Sequence, residues 1–412
     1  MKIIILFVAI TLCIILFACE DDRPVEERMQ SVLDNGIKDY QIHGVSATVI
    51  FPDDHIWTGV SGFSHDTVSI KQDMIFAIGS ITKNIVAALT LKLVEEKLLS
   101  LDDPISKWLP SYDYIDSTIT ICQLLNHTSG LYMFWDNQKI WDELKRNRKK
   151  FWLPEEVLRY IKEPYFSPGS GWRYSNTNYL LMAMIIKKVT GSGLSDELKK
   201  HFWKPMGMNE VYLSQEEAIP DNQAHVYGDN FEFGNSITDI TFQPRTSHES
   251  ITYGSSGIFI SSKNLASWSH TLFGGKILKK ESLNEMLNFI EIDPIANMRA
   301  YGLGTQLYDL SFTYGKEAIG HGGGNIGTTT YMLYFPDYHV SIVVMINAFP
   351  NRGIDVITKG LIRLVIKDIS TLDVLIYSDF YRFRYVAIGL IVFMIIVITY
   401  HLRKKRKLIR HN

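Results

Sequence analysis

Residues 76–98 read FAIGSITKNIVAALTLKLVEEKL and place Ser80 and Lys83 one helical turn apart at the start of a long apolar helix. Ile85, Leu89, Leu91, Leu93 and Val94, with Ala87 and Ala88, recur at helical spacing among good helix formers, and Gly79 to Thr82 opens the segment. Ser80 is therefore expected at or near a helix N-terminus, where unpaired amides and the positive end of the helix dipole favour negative charge on its oxygen. Lys83, three residues on, shares that face, with side-chain roots about 5–6 Å apart. An apolar setting disfavours the lysine cation, so a neutral amine there is able to take the serine proton. Alone the pair is weak evidence, because Ser-x-x-Lys arises by chance roughly once in a chain of this length.

Two further motifs lie toward the C-terminus. Tyr174-Ser175-Asn176 sits within FSPGSGWRYSNTNYLL, where the preceding Pro and Gly imply a loop and Tyr179 onward resumes helix. A phenol on such a loop can act as acid or base, and an asparagine two residues on can bond a substrate amide; by itself the triplet reads as a turn tyrosine with a capping residue. Gly320-His321-Gly322-Gly323-Gly324-Asn325 precedes the strand pattern Thr328 to Phe335. Its glycines let a substrate approach the backbone and leave amides to meet it. Gly322, Gly324 and Gly327 also fit the spacing of a dinucleotide-binding turn, but that turn needs a helix next, and a β-branched strand follows.

Together Ser-x-x-Lys, Tyr-x-Asn and His-Gly-Gly, in this order, resemble the serine hydrolases built like class C β-lactamases and D-Ala-D-Ala carboxypeptidases. The likeness covers roughly residues 26–366 and extends to LSLDDPISKWLP (Leu99 to Pro110), CQLLNHTSGL (Cys122 to Leu131), YGSSGIFISSKNLASW (Tyr253 to Trp268) and YGLG (Tyr301 to Gly304). It implies Ser80 as the acylated nucleophile, Lys83 and Tyr174 sharing proton transfer with the base left open between them, and Asn176 contacting the substrate amide and the lysine. His321 would help position the substrate or its carboxylate. The backbone amides of Ser80 and Gly324 would form the oxyanion hole, and Gly322, Gly323 and Asn325 would line the substrate. No cofactor or metal is implied. His127, in the LLNHTSGL stretch, reads as scaffold. Many penicillin-hydrolysing members carry Lys-Thr-Gly at the third motif, and a neutral His321 attracts a carboxylate less than lysine does, which ranks peptidase or esterase activity above β-lactamase activity.

The fold class expected is α+β: an antiparallel sheet of the class C β-lactamase kind, covered by terminal helices, with a helical insertion at about 105–208. A helix is expected at Glu26 to Tyr40, strands at Val45 to Phe51, Ile56 to Val60, Tyr301 to Leu310, Glu317 to Ile319, Thr328 to Phe335 and Val340 to Ile346, and a closing helix at Asp355 to Ile366.

Both ends of the chain imply a membrane. Residues 1–19 read as an export signal, and Leu16-Phe17-Ala18-Cys19 looks like a lipobox that would lipidate Cys19, the alternative being an uncleaved anchor. Residues 385–402 read as a short transmembrane helix followed by the basic tail 403–412, which the positive-inside rule puts in the cytoplasm with the catalytic domain outside. The 412 residues are 46% hydrophobic with net charge −2, which gives no sign of a nucleic-acid partner. Cys122 is the single body cysteine, so no disulfide forms within the body. Neither a Gly-x-Ser-x-Gly elbow nor a His-Glu-x-x-His site occurs. The expectation is a membrane-anchored extracytoplasmic hydrolase of a small-molecule or peptide acyl substrate. A slow or silent ligand sensor or assembly protein is the alternative, and the oligomeric state is open.

Overall fold

The structure, a computed structural model, describes residues 21–228, 237–349 and 353–377, with Met394 and Val397. Cys19, the apolar stretch 385–402 and the basic tail lie outside these residues. Among the described residues no helix is long and apolar enough to cross a membrane.

The chain enters through helix α1 (Val25–Tyr40) and strands β1 (Gly44–Ile50), β2 (Ile56–His65) and β3 (Val68–Ser69). After the Ser80 helix α2 (Thr82–Glu95), residues 105–208 fold into helices and helical turns. The longest of these is α3 (Asn176–Thr190). Helices α4 (Thr246–Ile251) and α5 (Ser262–Phe273) follow, then strands β4 (Ile290–Ile295), β5 (Met298–Tyr301), β6 (Gln306–Tyr308), β7 (Ile319–Asn325), β8 (Thr328–Phe335) and β9 (Val340–Ile346), and helix α6 (Gly353–Val365). Among the described residues these nine strands form one antiparallel sheet, in the order β3-β2-β1-β9-β8-β7-β6-β5-β4.

The central strand β9, VSIVVMI, is buried at every position, because both faces of the sheet are covered. Val343 and Met345 belong to the core shared with α2, α3 and α5, whereas Ile342, Val344 and Ile346 belong to the core under α1 and α6. Helices α1 and α6 lie close, since a Cβ on Gly36 would stand 2.7 Å from Ile357 Cδ1 and one on Gly360 2.7 Å from Val32 Cγ1. Helix α2 is buried from Thr82 to Leu91 without a polar stripe, the pattern of a helix enclosed on all sides.

Two expected strands differ. Tyr301 to Leu310 is a hairpin, β5 and β6, because Gly304 turns the chain with φ +62° where a Cβ would stand 2.6 Å from Ala87 Cβ and 2.7 Å from the Lys83 carbonyl oxygen. The strand expected at Glu317 to Ile319 begins instead at Ile319 and runs through the whole glycine stretch to Asn325, paired residue by residue with β8.

Candidate active site

Ser80 is placed by a second, small sheet. Phe76–Ala77 pairs with Ile258–Ile260, and the Ile78 amide donates to the Ile258 carbonyl at 3.0 Å. The chain then makes a tight turn, Gly79–Ile81, before α2 begins. Gly79 has φ +54°, a left-handed conformation that side chains disfavour, and a Cβ there would stand 2.8 Å from the Gly324 nitrogen. The Ser80 turn is therefore packed directly on the edge of β7, where Gly324 is exposed. Ser80 itself is half-buried.

Lys83 is fully buried, with Nζ 2.9 Å from Ser80 Oγ and 2.8 Å from the Ser255 carbonyl oxygen. Among the described residues no carboxylate pairs with it, and burial holds its pKa well below the ordinary lysine value. The Tyr174 hydroxyl hydrogen-bonds Ser80, and Lys83 Nζ stands 4.9 Å from the centre of the Tyr174 ring. Burial raises the phenol's pKa, so Tyr174 stays protonated at neutral pH. Ser80 thus lies between a protonated phenol and an amine whose positive form burial disfavours.

Asn176 is the first residue of α3, and the expected contact with the lysine is absent. Lys83 turns to Ser255 instead, while Asn176 Oδ1 is buried without a hydrogen-bond partner among the described residues. His127 lies under this segment, with φ +66° and its ring 4.3 Å from that of Tyr174. Its Nδ1 accepts from the Ser175 amide at 3.2 Å and bonds Asn178 Nδ2 at 2.9 Å. The ring is neutral, because burial lowers its pKa strongly.

His321 departs from its expected role. It is fully buried, Nδ1 donates to the Gly322 carbonyl at 2.6 Å, and Nε2 accepts from the Tyr301 hydroxyl at 2.9 Å. Burial lowers its pKa to about 3. With both nitrogens engaged and no charge, it orients Tyr301 and offers nothing to a substrate carboxylate. Asn325 is likewise no substrate contact: it is buried, its Oδ1 accepts from the Ile326 amide at 2.7 Å, and its Nδ2 donates to Glu249 Oε1 at 3.3 Å. The Gly322 amide donates to Gln306 Oε1 at 2.8 Å.

The close approach at Gly323 is made by the protein itself, since a Cβ there would overlap the Ile78 carbonyl oxygen. Gly323→Ala is therefore expected to push β7 off the Ser80 turn, costing about 1–3 kcal/mol as overpacking does. A melting curve should shift down by several degrees and turnover should fall with it, and an unchanged midpoint would contradict the contact.

Sequence reasoning did not find the Ser255 carbonyl that holds Lys83, nor Tyr301 beneath His321. Both sit in the YGSSG and YGLG stretches, whose composition carries no signal of such roles. Among the described residues no group of three or more His, Cys, Asp and Glu is placed to hold a metal ion.

The model of a family described as Beta-lactamase matches residues 25–367. "Penicillin-binding protein 4*" of Bacillus subtilis (strain 168) is 27% identical over 290 residues, covering 68% of this chain and 62% of the relative. "Esterase EstB" of Burkholderia gladioli is 29% identical over 223 residues, 51% of this chain and 56% of the relative. The chain thus spans less than two-thirds of the length of these curated relatives. Among solved structures, a D-stereospecific amidohydrolase from Streptomyces sp. superposes with a TM-score of 0.71 at 29% identity, over 81% of this chain and 98% of that one.

Proposed function

Because the chain belongs to the Beta-lactamase family, we propose that it is a serine hydrolase in which Ser80 attacks the carbonyl of a small amide, peptide or ester and holds the acyl group until water releases it. The observation that carries this reading is a buried lysine, 2.9 Å from a serine oxygen, that has no carboxylate partner among the described residues. Neutral Lys83 takes the Ser80 proton as the carbonyl is attacked. Tyr174, held as a phenol, steadies Ser80 Oγ and passes a proton to the leaving group. The depressed lysine and raised tyrosine favour Lys83 as the base. The amides of Ser80 and Gly324 receive the developing oxyanion, and Asn176 Oδ1 is an acceptor for a substrate N–H.

The neutral, enclosed His321 leaves the third motif without a cation, which favours amides and esters over penicillins. Similarity to a D-stereospecific amidohydrolase and to an esterase supports the same substrates. The signal with Cys19, lipidated or kept as an anchor, and the span at 385–402 would hold this domain on the outer side of a membrane.

A membrane-impermeant fluorophosphonate, applied to intact cells and then to the purified full chain, tests both statements. An adduct mapped to the Ser80 peptide is expected in each, with a fluorescent penicillin labelling far less. A folded protein that takes no fluorophosphonate would overturn the hydrolase, and labelling only after lysis would put the domain inside.

A further inference from the structure

The acyl-transfer steps leave one buried titratable side chain beside Tyr174 without a task. His127 is fully buried, and its backbone is held at φ +66°, a left-handed conformation that residues other than glycine keep only where their surroundings impose it. Strain of this kind collects at functional sites.

His127 grips the chain on both sides of Tyr174. Its carbonyl oxygen accepts from the Arg173 amide at 3.1 Å, and its Nδ1 accepts from the Ser175 amide at 3.2 Å. Asn178 Nδ2 donates to the same Nδ1 at 2.9 Å, its orientation fixed by Ser129 Oγ, which donates to Asn178 Oδ1 at 2.6 Å. Nδ1 therefore carries no proton, and the ring is the neutral tautomer with its hydrogen on Nε2.

The same ring packs on the phenol. Its centre lies 4.3 Å from that of Tyr174, nearer than Tyr301 at 6.2 Å or His321 at 6.5 Å. His127 Nε2 is buried without a hydrogen-bond partner among the described residues, in a ring surrounded by Tyr174, Tyr179, Tyr301 and Trp172. With Nδ1 occupied and Nε2 shut in, His127 offers nothing to a substrate. What it does, it does through Tyr174.

We infer that His127 is a positioning residue: its Nδ1 sets the Ser175 peptide, and with it the reach of the Tyr174 hydroxyl to Ser80 Oγ. This rests on the hydrolase reading above. There the Ser80 proton passes to Lys83 as the bond from Oγ to the acyl carbon forms. The Tyr174 proton passes to the leaving oxygen or nitrogen as its bond to that carbon breaks, and the Lys83 ammonium restores the phenol across the Ser80 oxygen that both groups meet. A misplaced phenol thus slows departure of a poor leaving group and hardly affects a good one.

The test uses the full-length protein with phenyl acetate and 4-nitrophenyl acetate, which share an acyl group, in His127→Asn and His127→Gln. Asparagine puts an amide oxygen where Nδ1 stands, whereas glutamine carries its oxygen one atom farther, where Nε2 stands. His127→Gln is expected to lower kcat/KM about 100-fold for phenyl acetate, the lower end of what a positioned acid supplies, and less than about 5-fold for 4-nitrophenyl acetate. His127→Asn, which keeps the acceptor, is expected to stay within about 10-fold of wild type on phenyl acetate. Equal losses on the two esters in His127→Gln would overturn the inference, since a scaffold contact does not distinguish leaving groups. So would a His127→Asn protein no better than His127→Gln. Added to Tyr174→Phe, His127→Gln should cost less than about 3-fold more on phenyl acetate, and losses that multiply would overturn the link to Tyr174. His127→Phe, which keeps a ring and lacks the acceptor, takes the place of His127→Gln if that variant does not fold. A wild type that turns over neither ester and takes no fluorophosphonate at Ser80 would overturn the hydrolase reading instead, and the missing label tells that failure apart.

Discussion

Replacing Ser80 with alanine is expected to lower kcat by about 10⁴-fold or more, because it removes the oxygen that attacks the acyl carbon. The change removes one oxygen that touches Lys83 Nζ and the Tyr174 hydroxyl, while Lys83 keeps its bond to the Ser255 carbonyl. The fold should persist, with a melting midpoint within a few degrees of wild type. Turnover of an aryl ester reads the loss directly, and a Ser80→Ala protein that retains a tenth of wild-type rate would remove Ser80 from the chemistry.

At Lys83 the informative substitution is arginine, with methionine beside it. Arginine keeps a positive charge at every accessible pH and cannot give up its proton. If Lys83 serves as a neutral base, Lys83→Arg and Lys83→Met should both lose about 10³-fold or more in kcat/KM. If the cation were what mattered, Lys83→Arg would keep much of the activity, and that result would sink the base assignment. The pH profile carries the same sign. The active form is the deprotonated amine, so kcat/KM should rise with pH and level off. Burial lowers the lysine's pKa, which puts that plateau below the pH at which an ordinary lysine titrates. A profile still rising through the ordinary lysine range would mean that the amine is solvated.

Where the sequence was informative, a strong local pattern coincided with the tertiary demand. The apolar β-branched runs Thr328 to Phe335 and Val340 to Ile346 are strands β8 and β9 at those bounds, and the helix after Ser80 is continuous from Thr82. Where local and tertiary demands part, the reading failed. A run of four glycines and a histidine has little strand propensity, yet Gly320 to Asn325 is strand because β8 pairs with it and because only a bare backbone fits under Ile78 and Gly79. His321 drew attention through its motif, but its partners are a tyrosine twenty residues away in sequence and its own neighbour's carbonyl.

The pairing of β1 with β9, Val45 opposite Ile346, joins residues about three hundred positions apart. Until β9 has been made, β1 and β8 both present an open apolar edge, and α1 has no α6 to lie against. The sheet is thus completed by a strand made about three hundred residues after β1, so contacts that close such long loops set the pace of folding. A chain waiting in that state is exposed to wrong pairing along both edges, and a holdase bound to it would shield the unpaired strands until β9 arrives.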